Sequence, residues 1–458
     1  MNLDKIHSVY FIGIGGIGMS ALARWFKHNG KDVSGYDRTE TRLTSQLQAE
    51  GLVVHFDDDM GLISKTIKGS KEGVLIVYTP AIPKNHFGMN WFKDNDYLLM
   101  KRSEVLGLIT QNMKNVAIAG THGKTTTSSM IVHLLKTAGI DCTGFLGGIS
   151  ANYNTNMVLN DKPESIAVIE ADEFDRSFLT LHPDIAVVTS TDADHLDIYG
   201  DKESLKDSFK QFIKQINNGG HLFVKNELAD ELVEGDLLSY TGYGLNEGKV
   251  KSTNLRIEEA AFVFDYNGEE NIEGVRLNVP GYHNVENMLV AMAVCSNLGA
   301  DAESLKRGVS SYKGVKRRFE FIHKSDNVTY IDDYAHHPIE IEVLLRSVRD
   351  LFPGKKITAI FQPHLFTRTR DFAAGFSESL SLADEVILLD IYPARELPIE
   401  GVTSELLLKN INADKKTIST KENLINQIQL WKPEVLLTIG AGDIDKLIEP
   451  IKTHCHES

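Results

Sequence analysis

Along the chain, short apolar runs alternate with stretches whose apolar positions recur at helical spacing. Continuous apolar runs bounded by glycine or polar turns are what strands buried on both faces require, so the pattern predicts an α/β fold of parallel sheets covered by helices. Three series can be separated. The first opens with the strand Val9-Tyr10-Phe11-Ile12, passes through a helix near Ser20 to His28 and strands near Asp32 to Tyr36 and Val74 to Tyr78, and ends near Leu106. The second opens with Val116-Ala117-Ile118-Ala119, followed by a helix from about Thr125 to Ala138 and strands at Ile166 to Ile169 and Ile185 to Thr189. Between about Asn217 and Val279 it becomes strand-rich and more polar, and a helix from Asn284 to Asn297 closes it. The third begins near Lys313, with strands at Thr329 to Ile331, Ile357 to Phe361, Glu385 to Leu389 and Val435 to Ile439. No fixed-period repeat or low-complexity tract separates them, so the expected domains 1–107, 108–312 and 313–458 meet at short linkers.

A length of 458 residues leaves room for about three domains, each with its own core. The balance of 48 Lys+Arg against 63 Asp+Glu, a formal charge of −15, argues against nucleic acid or an anionic membrane as the main partner. A small anionic ligand remains compatible, because backbone N–H groups and a few local cations suffice to hold it. Cys142, Cys295 and Cys455 are too few and too widely spaced for a disulfide framework or a zinc site, and read as thiols of a reducing, cytoplasmic compartment. Val9 to Ala23, behind Lys5, imitates a secretory signal, but its glycines and the nearby Asp4 favour a buried strand and glycine turn. No other apolar run approaches the length of a membrane span.

Two glycine loops carry the first chemistry. Gly13, Gly15, Gly16 and Gly18 lie between a strand and a helix, and Asp37 ends the next strand, a spacing that suits a pyrophosphate at the helix N-terminus and a ribose hydroxyl. Alone this is a weak signal that a dehydrogenase would share. Gly120-Thr121-His122-Gly123-Lys124-Thr125-Thr126 also runs from a strand into a helix, as a phosphate-cradling loop does, with Lys124 to offset phosphate charge and Thr125 to ligate Mg2+. It departs from the general P-loop in having Ile118 at the first glycine position. Glu170-Ala171-Asp172-Glu173 and Asp192-Ala193-Asp194-His195 follow the next two strands and should reach the same sheet edge, where Glu170 and His195 are the favoured metal ligands.

Taken together, the Lys124 loop, Glu170 to Glu173 and Asp194-His195-Leu196-Asp197-x-Tyr199 resemble the motifs of the Mur ligases, which build the peptide of bacterial cell-wall precursors. The resemblance runs from Gly13 to Gly440-Ala441-Gly442-Asp443-Ile444. It implies an N-terminal Rossmann-like domain for a UDP-sugar, a central P-loop ATPase domain with a mostly parallel sheet, and a C-terminal Rossmann-like domain for an amino acid. On this resemblance Gly13, Gly15, Gly16, Gly18, Asp37, Thr79, His122 and Glu173 would bind the UDP-sugar. Gly120, Thr121, His122, Gly123, Lys124, Thr125, Thr126, His283, Asn284, Asn287, Arg318 and Asp333 would bind ATP, and Thr125, Glu170 and His195 would hold Mg2+, with Mn2+ as a substitute.

In the third series, Ile331-Asp332-Asp333-Tyr334-Ala335-His336-His337-Pro338 and Phe361-Gln362-Pro363-His364-Leu365-Phe366-Thr367-Arg368-Thr369 bring imidazoles and a guanidinium onto adjacent loops, a chemistry suited to a small zwitterion. They look like the branch of the family that joins L-alanine to UDP-N-acetylmuramate, the first stem-peptide step of peptidoglycan precursor synthesis. Tyr334, His336, His364 and Arg368 would then bind the amino acid. Lys124, Glu170, His195, Arg318 and His337 would serve the chemistry, with His337, His364 or a metal-bound group as the candidate proton acceptor. The expected protein is a monomer or homodimer whose domains close around their ligands. Ser190, where relatives often carry Asn, and Leu365, where some carry Arg, depart from the family pattern. The rivals are a sibling ligase that attaches a recycled tripeptide, a nucleotide-dependent dehydrogenase and a non-catalytic P-loop regulator.

Overall fold

The computed structural model describes residues 3–162, 164–192, 199, 201–233, 235, 239–394 and 396–457. Two compact units emerge, one of Met1–Asn254, Phe264–Val275 and Glu286–Tyr312, the other of Leu255–Val263, Arg276–Val285 and Lys313–Ser458. Each unit carries parallel sheet built from the apolar runs of the sequence.

The first unit holds two sheets. Strands β1 (Ser8–Ile12), β2 (Asp32–Tyr36), β3 (Val53–His55), β4 (Val74–Tyr78) and β5 (Leu98–Lys101) form an all-parallel sheet in the order β3-β2-β1-β4-β5. β1 is buried at every position, which is why it reads as an unbroken apolar run. Helix α1 (Ile17–His28) follows it and buries Leu22, Ala23 and Phe26, with Phe26 edge-on to Phe11 at 6.2 Å. The second sheet contains β6 (Asn115–Ala119), β7 (Cys142–Ser150), β8 (Thr155–Val158), β9 (Ile166–Glu170), β10 (Ile185–Val188), β11 (His221–Lys225) and β12 (Ser239–Tyr243) in the order β12-β11-β10-β6-β9-β7-β8. Only the β7–β8 edge is antiparallel. Buried Arg24 on α1 pairs with Glu50 at 2.7 Å and donates to Asn156 of β8, so a satisfied polar cluster ties the first sheet's helix to the second sheet.

In both sheets the chain reverses its strand order beside the first strand, with β2 and β4 flanking β1 and β9 and β10 flanking β6. The loops leaving β1 and β6 therefore sit at switch points, where open α/β sheets bind ligands. Strands β13 (Lys251–Glu258), β14 (Ala261–Asn267) and β15 (Ile272–Leu277) make a three-stranded sheet from the strand-rich polar segment.

The second unit contains a six-stranded sheet, β16 (Glu320–Lys324), β17 (Thr329–Asp333), β18 (Ile357–Phe361), β19 (Glu385–Leu388), β20 (Lys415–Ile418) and β21 (Val435–Ile439), in the order β16-β17-β21-β18-β19-β20. Only β16 runs antiparallel to its neighbour. β21 lies between β17 and β18, so the two histidine-bearing loops leave strands on either side of it. Among the described residues no helix is long and apolar enough to cross a membrane, and all three cysteines are buried and free.

Candidate active site

The first glycine turn is held by its own domain. Gly13 takes φ +91°, and its N–H and that of Ile14 donate to the Tyr36 carbonyl at 2.8 and 2.9 Å. The Gly15 N–H donates to Asp37 at 2.8 Å, so the acid expected on a ribose also shapes the turn. A Cβ on Gly15 would lie 2.6 Å from the Thr44 methyl and 2.8 Å from Asp37, whereas Gly16, the N-cap of α1, has nothing nearer than 3.5 Å. Thr79, just past β4, places its methyl 3.3 Å from where a Gly13 Cβ would stand. Gly13, Gly15, Gly16, Asp37 and Thr79 thus converge on one sheet edge.

The second loop carries its own cation. Helix α2 (Arg102–Thr110) ends the first domain's elements, and helix α3 (Lys124–Thr137) starts at Lys124 behind an N-cap Gly123 at φ +83°. Gly120 stands at φ +142° against the Thr189 hydroxyl, which donates to the Ala119 carbonyl at 3.2 Å and to that of His122. The Ser190 hydroxyl accepts the His122 N–H at 2.7 Å and lies 2.9 Å from the Thr121 hydroxyl. Any side chain at Gly120 would fill this cradle. Ser190, the departure from the family pattern, therefore fixes the backbone of the loop. Asn287 rests against Gly123, where a Cβ would come within 2.8 Å of its amide. Thr125 and Thr126 are buried at the first turn of α3.

Lys124 Nζ donates to the Gly120 carbonyl at 2.6 Å and to Glu173 Oε1 at 2.9 Å, and forms an ion pair with Glu173 Oε2 at 2.7 Å. Glu173 is fully buried. Burial works against the Lys124 charge, but the Glu173 and Glu170 carboxylates outweigh it and hold the ammonium above the ordinary lysine value. Burial also raises Glu173, against the pull of Lys124. With a 2.7 Å contact and a carbonyl acceptor besides, the proton stays on the lysine.

Glu170 ends β9 directly beside Ile118 of β6 and accepts the Gly147 N–H at 2.9 Å, an approach only a glycine allows. The Thr125 hydroxyl and the Glu170 carboxylate are hard oxygen donors of the kind Mg2+ takes. Among the described residues no cluster of three His, Cys, Asp or Glu converges on one point, and the expected ligand His195 lies outside the described residues together with Asp194. His122 faces Asp192 at 3.9 Å. Lys206 is engaged by Glu231 at 2.7 Å.

In the second unit, the Lys316 to Glu320 segment separates its two arginines. Arg317, at φ +62°, turns inward to fully buried Asp332 at 3.1 Å and to the Gly440 carbonyl at 2.6 Å, which locks the loop onto β17 and β21. Arg318 is left exposed beside it. Asp333 accepts the Phe319 and Ala335 N–H groups at 2.6 and 2.7 Å. Burial pushes its carboxyl up to about 7, although those donors and the Arg318 charge pull the other way. Gly281, at φ +112°, lets the chain turn against the His283 ring, and the Asn284 amide donates to the Pro280 carbonyl at 2.6 Å, so it fixes the turn that starts helix α4 (Tyr282–Asn297).

The two histidines of the β17 loop differ. His337 is the N-cap of helix α5 (Pro338–Leu351), its Nδ1 accepting the Ile339 N–H at 3.4 Å. His336 places Nδ1 3.0 Å from the Tyr334 carbonyl, which can only accept, so Nδ1 carries the proton and Nε2 keeps the lone pair. Burial lowers the His336 pKa, and the Arg368 charge adds to this against the pull of Glu340. From the β18 loop, His364 stacks on Tyr392 and stands 6.3 Å, centroid to centroid, from His336. Leu365 occupies a left-handed φ of +69° with its N–H on the Tyr392 carbonyl, which sets the start of the short helix carrying Arg368. Tyr334, His336 and His364 thus belong to two loops flanking the end of β21, and Arg368 to the short helix that follows the second.

Comparison with known proteins matches three family models in sequence: "Mur ligase family, catalytic domain" over residues 8–114, "Mur ligase middle domain" over 118–295 and "Mur ligase, glutamate ligase domain" over 317–442. The chain is 47% identical over 460 residues to the UDP-N-acetylmuramate–L-alanine ligase of Cytophaga hutchinsonii, covering all of this chain and 98% of that one. It is 48% identical to the ligase of the same name from Flavobacterium johnsoniae, with all of both chains covered. The crystal structure of the UDP-N-acetylmuramate-alanine ligase of Thermotoga maritima matches with a TM-score of 0.83 at 26% identity, covering 98% of this chain and 100% of that one. A murein peptide ligase from Psychrobacter arcticus shares the fold, with a TM-score of 0.72 at 21% identity over 98% of each chain. The three matched domains and the full-length identities agree with the loops described above, and the chain belongs to the Mur ligase family.

Proposed function

We propose that this protein joins L-alanine to the lactyl carboxylate of UDP-N-acetylmuramate with cleavage of ATP to ADP and phosphate, the first residue added to the peptidoglycan stem peptide. The observation that carries this reading is identity of 47–48% over the whole chain with ligases of that name, in a protein whose Lys124 loop is built to hold a polyphosphate. In this reading residues 1–107 take the UDP-sugar, 108–312 the ATP and 313–458 the amino acid.

ATP lies in the Gly120 to Thr126 cradle, with Lys124 exchanging Glu173 for phosphate oxygens. Thr125, Glu170 and His195 would hold Mg2+, which would supply positive charge to offset the charge gathering on the transferred group. A carboxylate oxygen of the sugar attacks the γ-phosphorus, the bond to ADP breaks, and an acyl phosphate forms. The L-alanine amine attacks its carbonyl carbon, and the tetrahedral intermediate expels phosphate and leaves the amide. The ammonium must first lose a proton. His336 is the better acceptor than His337, because its Nε2 lone pair is available while the His337 Nδ1 is spent on capping a helix.

The direct test is phosphate release with ATP and UDP-N-acetylmuramate plus L-Ala, Gly, L-Ser or the recycled tripeptide. Release that requires the sugar nucleotide and is fastest with L-Ala is expected. Preference for the tripeptide, or indifference to the sugar nucleotide, would sink the proposal.

A further inference from the structure

Arg102 joins two regions of the first unit that are far apart in sequence. It opens helix α2 just past β5, at the ligand edge of the first sheet. Its guanidinium lies against Gly18 in the first turn of α1, where a Cβ would stand 2.7 Å from Nη1 and 3.0 Å from Cδ. On the other side Nη2 donates to Asp172 at 3.3 Å, in the loop between Glu170 and Glu173. Arg102, Glu170, Asp172 and Ser177 line one small recess.

Fold stability gives this placement little justification. A cation beside the first turn of a helix opposes the helix dipole. Asp172 is 40% exposed and meets a single nitrogen at 3.3 Å, a pairing of small worth. Among the described residues that is the one hydrogen bond Arg102 makes, so most of its five donors are unspent. A bound anion at the Gly13 turn reverses the balance, since the helix N-terminus and the guanidinium would then attract the same charge.

We propose that Arg102 binds the pyrophosphate of the sugar nucleotide at the Gly13 turn, trading Asp172 for phosphate oxygens. Gly18 is then required as the surface on which the guanidinium lies, and not only for the tightness of the turn. The inference rests on the proposed function for the identity of the ligand.

Calorimetric titration of UDP-N-acetylmuramate into the enzyme saturated with Mg2+ and the non-hydrolysable analogue AMPPNP tests it, with AMPPNP titrated separately. R102M should weaken UDP-N-acetylmuramate by about 10-fold or more and leave AMPPNP within about 2-fold, and R102K should weaken the sugar nucleotide by about 3-fold or more, because an ammonium cannot replace the planar fork. Circular dichroism checks the fold, and if R102M is unfolded the R102K result decides. Unchanged sugar-nucleotide affinity in the folded variants, or equal loss for both ligands, overturns the proposal. Failure of the wild-type enzyme to bind UDP-N-acetylmuramate would instead overturn the functional reading beneath it.

Discussion

The Gly13 turn and the Gly120 loop occupy the same topological position, each leaving the first strand of a parallel sheet for a helix at a switch point. They are built in opposite ways. The first is uncharged in itself, shaped by the Asp37 carboxylate on the Gly15 N–H and approached by Arg102 from another element. The second carries Lys124 within the loop and stores it against buried Glu173. A loop that only holds a diphosphate can present backbone N–H groups and borrow a cation. One that must stabilise charge gathering on a transferred phosphoryl group needs a cation fixed beside it, and that cation needs a partner while no phosphate is bound.

Lys124→Ala should have the largest effect, lowering phosphate release by roughly a thousand-fold and destabilising the fold by about 3 kcal/mol because Glu173 is left buried without its cation. Adding Glu173→Gln should recover part of the stability and none of the activity. Rate assays and chemical denaturation check both, and full activity in Lys124→Ala would break the contrast between the loops.

His336→Gln should come next, with a loss in kcat of about a hundred-fold. Because burial lowers the His336 pKa, its ring stays neutral to lower pH than an ordinary histidine does, so the acid limb of the wild-type rate should lie below the usual histidine value. The variant should lose that acid limb. His337→Gln should keep it and cost only the value of a helix cap, about 1 kcal/mol in stability.

Glycine substitutions sharpen the comparison at smaller scale. Gly120→Ala puts a Cβ against the Thr189 hydroxyl at φ +142°, and should abolish measurable ATP saturation. Gly15→Ala meets only the Thr44 methyl and the Asp37 carboxylate, side-chain atoms that can shift, so KM for the sugar nucleotide should rise by about 10-fold while KM for ATP holds. Gly16→Ala makes only ordinary van der Waals contacts, none nearer than 3.5 Å, and should change either KM by less than about 2-fold.

Much of this was readable beforehand, for physical reasons. Strands β1, β6, β18 and β21 are buried at every position, so their apolar runs could be recognised as parallel-sheet interiors, and β18 and β21 have the expected limits. Edge strands were not. β20 begins with exposed Lys415 and Lys416, and β16 is half-buried and starts at Glu320, so neither has the apolar signature of a central strand. Glycine loops announce themselves because their spacing is local. Arg102, Thr189 and Ser190 act across long sequence separations from positions with no pattern of their own, and only the sheet order brings them to the loops they serve. The inward turn of Arg317 and the outward one of Arg318 depend on a left-handed backbone at Arg317 that the sequence does not signal.

The chemistry assigned to the Lys124 loop is tested most directly by oxygen labelling. With 18O in both oxygens of the lactyl carboxylate, transfer to the γ-phosphorus followed by amide formation places one 18O in each phosphate released. Phosphate free of the label, with amide still formed, would mean that the carboxylate never attacked ATP, and would contradict the account.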